Sequence, residues 1–343
     1  MKILVAPLNW GLGHASRCVP LVRRFIEEGH EVILGGDGES LTLLRKHFPK
    51  LRYVYLAPLQ LQYSAGRRQV GAMIRALPRL VAWAVKDHAM LKAVLREEKI
   101  DRVVSDNRFG LYVSNSPKGG PPSNSVSGPT GEAVPPQCVY ITHQLHVLLP
   151  QGWRWAEPMA QRLHAAIYKR FGQVWVPDYE ALPGSLSGVL GHPSKAVTGE
   201  IHYIGPLSRF DRCAPSSAYH PAYDVVAVLS GLEPHRTLLE KEIVARYIGT
   251  GKQVLVVQGL MHRPNTRIKR ANITTVPYLG DAELAEVMKD AGQVIARSGY
   301  STVMDLDALG LLGKAELIPT PGQPEQEYLA CWIKERNNEQ DKL

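Results

Sequence analysis

Short runs of β-branched and aliphatic residues alternate with helical patterns along the whole chain. That alternation limits the fold more than any single motif. In the first half the strand-like runs are 3–8, 32–35, 53–57, 102–105, 138–142 and 174–176, with helical patterns at 16–28, 39–47, 71–98 and 157–170. The second half repeats the scheme, with strands at 225–229, 254–258, 273–277, 293–296 and 315–318 and helices at 236–248, 282–290, 301–309 and 325–335. Strands alternating with helices imply parallel sheets joined by right-handed crossovers. A chain of 343 residues is long for one core, and two such series in tandem imply two doubly wound, Rossmann-like α/β domains with a cleft between them. The expected boundaries are an N-terminal domain at 1–206, a linker at 207–221 and a C-terminal domain at 222–343, with a hinge near Gly205-Pro206. The segment 114–136 is rich in Ser, Gly and Pro and nearly free of large apolar residues, so a flexible insertion is expected there.

Composition narrows the function classes. Hydrophobic residues make up 45% of the chain and charged residues 21%, the balance of a soluble globular protein. No apolar run approaches the roughly 20 residues of a membrane span. The N-terminus reads as a first strand rather than a signal peptide. Cys18, Cys138, Cys213 and Cys331 are scattered and form no CxxC, which fits a reducing cytoplasm and argues against a structural metal site. The net charge of +8 favours anionic partners, but no nucleic-acid motif accompanies it. One long helical segment carries Arg67, Arg68, Arg75, Arg79, Lys86, Lys92 and Arg96 among Met73, Ile74, Leu77, Leu80, Val81, Trp83 and Leu91. Such a helix either lies on an anionic membrane face or packs its apolar stripe on its own domain. The expected location is the cytoplasm, with peripheral contact to the inner membrane face left open.

In open α/β sheets ligands bind beyond the carboxyl ends of the strands, and that rule selects the candidate site residues. The run Arg297-Ser298-Gly299-Tyr300-Ser301-Thr302 follows a buried strand and opens a helix. Free N–H groups and the helix dipole make such a junction an anion site, with Arg297 adding charge and Ser301 and Thr302 adding donors. Asp305, about one turn further in, suits a ribose hydroxyl. Ser230-Gly231 starts a second helix beside Arg236 and forms a second anion cradle; two cradles in one domain suit a pyrophosphate. Glu325 and Gln326 open the last helix and can hold sugar hydroxyls; an ordinary acidic first turn reads equally well.

At the end of the first strand Gly11 and Gly13 allow close backbone approach while His14 points into the cleft. The same glycines, with Asp37 after the second strand, keep a weak dinucleotide reading alive. Asp106 ends another strand and can bond the far ring nitrogen of His14. Asn107, Arg108, His143 and Gln144 are candidates for acceptor binding. Asp305-Leu306-Asp307 resembles a metal-binding DxD, but residues two apart on a helix do not face each other, so no metal is assigned.

These stretches resemble the two-domain (GT-B) glycosyltransferases, particularly the UDP-glycosyltransferases and the bacterial enzyme that adds N-acetylglucosamine to the peptidoglycan lipid precursor. The resemblance covers both halves and is carried mainly by 297–305 with 319–326. It implies an inverting, metal-independent transfer from a UDP-sugar co-substrate, with no cofactor. It implies His14 as base and Asp106 as its orienting partner. Ser230, Gly231, Arg297, Ser301 and Thr302 match diphosphate contacts, Asp305 the ribose contact, Leu279 the position whose backbone meets the uracil, and Glu325 with Gln326 the donor-sugar pair. Asp305 is one methylene shorter than the Glu usual there. Related proteins often carry a further C-terminal helix that packs back onto the N-terminal domain; here the chain reaches Leu343 soon after the Glu325 helix. A nucleotide-sugar epimerase of the same architecture and a non-catalytic nucleotide-sugar-binding protein are the alternatives; the acceptor stays open.

Overall fold

A computed structural model describes residues 1–59, 69–113, 135–194, 199–211 and 221–340, with the side chains of 69–75 and 339–340 excepted. Most of the expected insertion, the linker's Pro- and Ser-containing stretch, and Arg67, Arg68 and the side chain of Arg75 lie outside that set.

The first half runs β1 (Lys2–Pro7), α1 (Gly13–Glu27), β2 (Glu31–Gly36), α2 (Gly38–His47), β3 (Arg52–Tyr55), α3 (Gln69–Glu97), β4 (Arg102–Asp106), β5 (Gln137–Ile141), α4 (Glu157–Tyr168), β6 (Gln173–Val176) and β7 (Ile201–Tyr203). Its strands form a parallel sheet in the order β3-β2-β1-β4-β5-β6-β7. The second half runs β8 (Val225–Val228), α5 (His235–Tyr247), β9 (Val254–Val257), β10 (Ile268–Arg270), β11 (Ile273–Val276), α6 (Asp281–Asp290), β12 (Gln293–Arg297), α7 (Tyr300–Ala308), β13 (Ala315–Ile318) and α8 (Pro324–Gln340). Its order is β10-β11-β9-β8-β12-β13, parallel except for the β10–β11 edge pair. The two doubly wound sheets expected from the sequence are present. The chain leaves one sheet at Tyr203 and enters the other at Val225.

Strands β4 and β5 are buried at every residue, so neither shows the alternation of a half-exposed strand. α1 carries Ala15, Cys18, Val19, Val22 and Phe25 on its buried face, the spacing of an amphipathic helix. It starts at Gly13, earlier than the pattern suggests, after Gly11 turns the chain with φ 73°, a conformation that favours glycine. That early start places His14 in the first helical turn. β7 and β10, three residues each, escaped the sequence reading because so short a run carries no period.

The apolar stripe of α3 divides. Trp83, Leu91 and Val94 are buried, whereas Leu77, Val81 and Val85 are 50%, 60% and 65% exposed. The expectation that the stripe packs on its own domain therefore holds only for the C-terminal half of the helix.

Arg108 corrects another expectation. It is fully buried, donating Nη1 to Asp37 at 2.8 Å, Nη2 and Nε to Asp87 at 2.7 and 3.1 Å, and Nη2 to the Ala57 carbonyl at 2.7 Å. It braces the sheet floor and has no donor to offer an acceptor. Asp37, 7% exposed, also accepts from Asn9 Nδ2 at 3.0 Å, so it presents no carboxylate to a dinucleotide ribose. Removing Arg108 would strand two buried carboxylates, an effect of about 3–5 kcal/mol. Arg108→Ala is expected to lower the calorimetric melting temperature by about 4–7 °C; a shift within about 1 °C, less than 1 kcal/mol at this size, would reject the bracing role.

Candidate active site

The strand order reverses between β1 and β4 in the first sheet and between β8 and β12 in the second. These are the switch points where crossovers leave to opposite sides and open a crevice. Pro7 pairs with Asp106 across β1 and β4, and Asp106 with Ile141 across β4 and β5. The register therefore delivers His14, Asp106 and His143 to one edge. Ser230-Gly231 and 298–302 follow the corresponding strands of the second sheet.

His14 Nδ1 lies 3.0 Å from Asp106 Oδ1, and Nε2 has no hydrogen-bond partner among the described residues. Asp106 is fully buried. Arg17, one turn beyond His14 and 2% exposed, grips both its oxygens, with Nε to Oδ2 at 2.5 Å and Nη2 to Oδ1. Arg17 Nη2 also approaches His14 Nδ1 at 2.8 Å. Nδ1 thus faces a group that only accepts, Asp106, and a group that only donates, Arg17; the tautomer that donates to Asp106 leaves Nε2 as the basic atom. Burial is the largest influence on both groups. It lowers the His14 pKa against the pull of Asp106, with Arg17 adding to the lowering. Burial opposes ionisation of Asp106, but Arg17 and His14 together override it and hold the carboxyl far below its usual range. The site thus contains a neutral imidazole beside a fixed carboxylate.

The second domain closes over this pair. Ser301 Oγ donates to the Gly13 carbonyl at 3.0 Å, which sets the N-termini of α1 and α7 against one another. Tyr300 stacks on His143, with centroids 4.2 Å apart and planes at 8°, and donates to the Pro177 carbonyl at 2.8 Å. Glu325 meets His143 Nε2 and Gln144 Nε2, both at 2.7 Å. α8 reaches the first domain as well: Tyr328 accepts from Val189 N at 2.9 Å, and Trp332 donates to the Ser185 carbonyl at 3.1 Å.

Several expected donor contacts stand differently. Arg297 is 5% exposed and donates to the carbonyls of Pro319 and His235, each at 2.9 Å, and of Ile318 at 3.4 Å. It staples β13 and α5 to β12 rather than charging the anion site. Ser298, fully buried, donates to the Gln326 carbonyl at 2.7 Å. Arg236 is paired with Glu233 and the Gln258 carbonyl, and lines a groove of about 490 Å³ along α5 that neither His14, Ser301 nor Glu325 reaches.

The remaining positions lie at the strand ends. Gly299 caps α7, Gly231 is exposed with φ 93°, Ser230 is half-buried beside it, and Leu279 is buried after β11. Thr302 is half-buried in the first turn of α7. Asn107 adopts φ 58° and accepts from the Tyr140 hydroxyl at 2.6 Å. Gln326 holds Thr320 N at 2.9 Å and Gln323 Oε1 at 2.7 Å.

Asp305 accepts from Ser208 Oγ at 2.7 Å, and burial raises its pKa to about 6. Asp307 instead faces the Tyr179 hydroxyl at 2.8 Å. The two carboxylates thus diverge, as helical spacing requires. Among the described residues no three His, Cys, Asp or Glu side chains gather as a cation site.

The site residues missed from sequence are Arg17, Tyr300 and Ser208. For Arg17 a signal existed: it lies three residues after His14, on the same helix face.

Asp106 and Glu325 both have lowered folded-state pKa values. For Glu325 burial works against the lowering and the His143 interactions outweigh it. Their stabilisation is complete above the unfolded value of about 4 and is lost as pH falls through the folded values. Chemical denaturation at a series of pH values should show stability falling below about pH 4, and Asp106→Asn should flatten that fall. An unchanged slope in Asp106→Asn would contradict the ionised, paired carboxylate.

No family model matches the chain. An uncharacterized glycosyltransferase of Methanosarcina acetivorans is 24% identical, over 98% of this chain and 84% of the relative. Among solved structures, Phytolacca americana UGT2, complexed with UDP-2fluoro-glucose and pterostilbene, is 14% identical with a TM-score of 0.54, covering 97% of this chain and 83% of that one. A Listeria monocytogenes protein described as a candidate UDP-N-acetylglucosamine 2-epimerase is 12% identical with a TM-score of 0.52, covering 99% and 89%. The chain has the GT-B fold, and along nearly its whole length it is related to proteins that bear the name glycosyltransferase.

Proposed function

We propose that the protein is an inverting, metal-independent glycosyltransferase of the hexosyltransferase class, moving a sugar from a UDP-sugar or other nucleotide-sugar donor to an acceptor hydroxyl. One observation carries the reading: the Ser301–Gly13 hydrogen bond sets the start of α7 beside the His14–Asp106 pair. Two helix N-termini that face each other concentrate free N–H donors and like dipole ends, and an anionic group between them satisfies both. A diphosphate there places the sugar's anomeric carbon near His14.

In the proposed step the acceptor hydroxyl attacks that carbon and His14 Nε2 takes its proton. The bond to the diphosphate oxygen breaks, and the nucleoside diphosphate leaves with the electron pair. Asp106 stabilises the imidazolium that forms. The amides of α7, Thr302 and the Ser230-Gly231 loop stabilise the leaving charge without a metal. A ribose at Asp305 displaces the Ser208 hydroxyl, exchanging one hydroxyl donor for another. Glu325 and Gln326 then face the sugar, and Asn107, His143 and Gln144 border the acceptor.

The exposed Leu77, Val81 and Val85 of α3, near the exposed cations Arg79, Lys86 and Lys92, support peripheral contact with an anionic membrane surface. No helix among the described residues is long and apolar enough to cross a membrane. Co-sedimentation should show binding to vesicles containing phosphatidylglycerol, and loss of most of that binding in Val81→Glu/Val85→Glu. Equal binding by that variant would remove the membrane assignment.

UDP at a hundred times its dissociation constant should stabilise the protein by about 2.7 kcal/mol, a rise of several degrees in melting temperature. His14→Ala should keep that shift and lower UDP release from a UDP-sugar about 10²–10⁴-fold. No shift with any nucleoside diphosphate would remove the donor site. Full activity in His14→Ala would reject the base and favour an epimerase reading.

A further inference from the structure

Arg17 is buried, yet its guanidinium meets side chains of the cleft instead of backbone. Arg297, also a buried arginine at a strand–helix junction, donates to three carbonyls, the pattern of a packing staple. Arg17 holds both oxygens of Asp106, approaches His14 Nδ1 at 2.8 Å and reaches His143 Nδ1 with Nη1 at 3.4 Å. His143 then meets Glu325 Oε1 at 2.7 Å through its other nitrogen. His14, Asp106, Arg17, His143 and Glu325 form one unbroken chain of polar contacts that crosses from α1 to α8.

Building on the transferase reading, we propose that Arg17 is a positioning residue: it fixes Asp106 with one oxygen toward His14 and, through His143, sets Glu325 in the opposite domain, so that one planar cation aligns the base with the carboxylate on the donor side. A carboxylate held at one point rotates; the two-point grip of a guanidinium fixes its plane. An N–H from Arg17 at His143 Nδ1 requires the ring proton on Nε2, where it donates to Glu325. The groups facing His14 are Asp106 on β4, Arg17 on α1, His143 beyond β5 and Glu325 on α8. Burial keeps His14 neutral, Asp106 opposes this, and the Arg17 charge reinforces it. Lysine would retain the charge but has neither the plane nor the reach to hold Asp106 and His143 together.

The test uses the full chain labelled with ¹⁵N-histidine, as wild type, Arg17→Lys and Arg17→Gln. Imidazole nitrogen shifts are followed against pH, and UDP release from a UDP-sugar is followed in parallel. In the wild type His14 should be neutral with its proton on Nδ1 at pH 7, and His143 should carry its proton on Nε2. Arg17→Gln should raise the His14 titration midpoint. Arg17→Lys should leave that midpoint low but mix the two forms of His143. UDP release in Arg17→Lys should fall about tenfold or more, part of the 10²–10⁴ a positioned base supplies, with the UDP thermal shift retained. Unchanged ring shifts in both folded variants would overturn the proposal. So would failure of both variants to fold, which would make Arg17 a structural residue. The expected shifts without UDP release from any donor would support Arg17 as described while removing the transferase reading.

Discussion

A carboxylate with no access to water governs this molecule. Moving such a group from water into a protein interior costs several kcal/mol unless partners are already in place. Asp106 meets that demand with two residues from one helix, Arg17 and His14. Both arrive in register only because α1 begins at Gly13, and α1 begins there only because Gly11 turns the chain. Asp106 is itself fixed by its parallel pairing with Pro7 and Ile141. The chemistry of the cleft therefore depends on sheet order first and on side-chain choice second.

The same dependence extends across the two domains. Residues of α1 and α2 share one apolar cluster with residues of β8, α6 and α7. Tyr300, Ser301, Glu325, Tyr328 and Trp332 each bond or stack on the first domain. α8 already packs back onto the N-terminal domain through Tyr328 and Trp332, a part the resemblance led one to expect from a further helix. Closure here brings the strand ends of the two sheets to a single polar cluster, with apolar packing on either side.

Much of this architecture was legible because its signals are local. Apolar runs mark parallel strands, and residues just past a strand in an α/β chain lie at the crevice; that rule selected His14, Asp106, His143, Ser301 and Glu325, which the fold brings to one cluster. What escaped has a physical reason. The fate of a guanidinium depends on which carbonyls lie within reach, and those come from distant segments. Arg297 and Arg108 therefore read as cleft cations but serve as internal staples. Ser208 and Asp305 meet only because the interdomain segment passes α7, a contact 97 residues apart in sequence. Short edge strands such as β10 carry too few residues to show any period.

The withdrawal of Arg297 and Arg236 from the anion site bears on the proposed chemistry. A guanidinium aimed at the diphosphate would stabilise the charge that develops as the bond breaks, and both of these arginines are already engaged elsewhere. On the proposed reading the leaving charge falls instead on amides at the start of α7, on Thr302 and on the Ser230-Gly231 loop. These are neutral dipoles fixed by the fold, whose value rises as charge develops on the departing oxygen. Arg297 ties β13 and α5 to the end of β12, which on the proposed reading fixes the separation of the two anion cradles. On the same reading Arg17 sits on the side of the proposed base, where its charge adds to the effect of burial in holding His14 unprotonated.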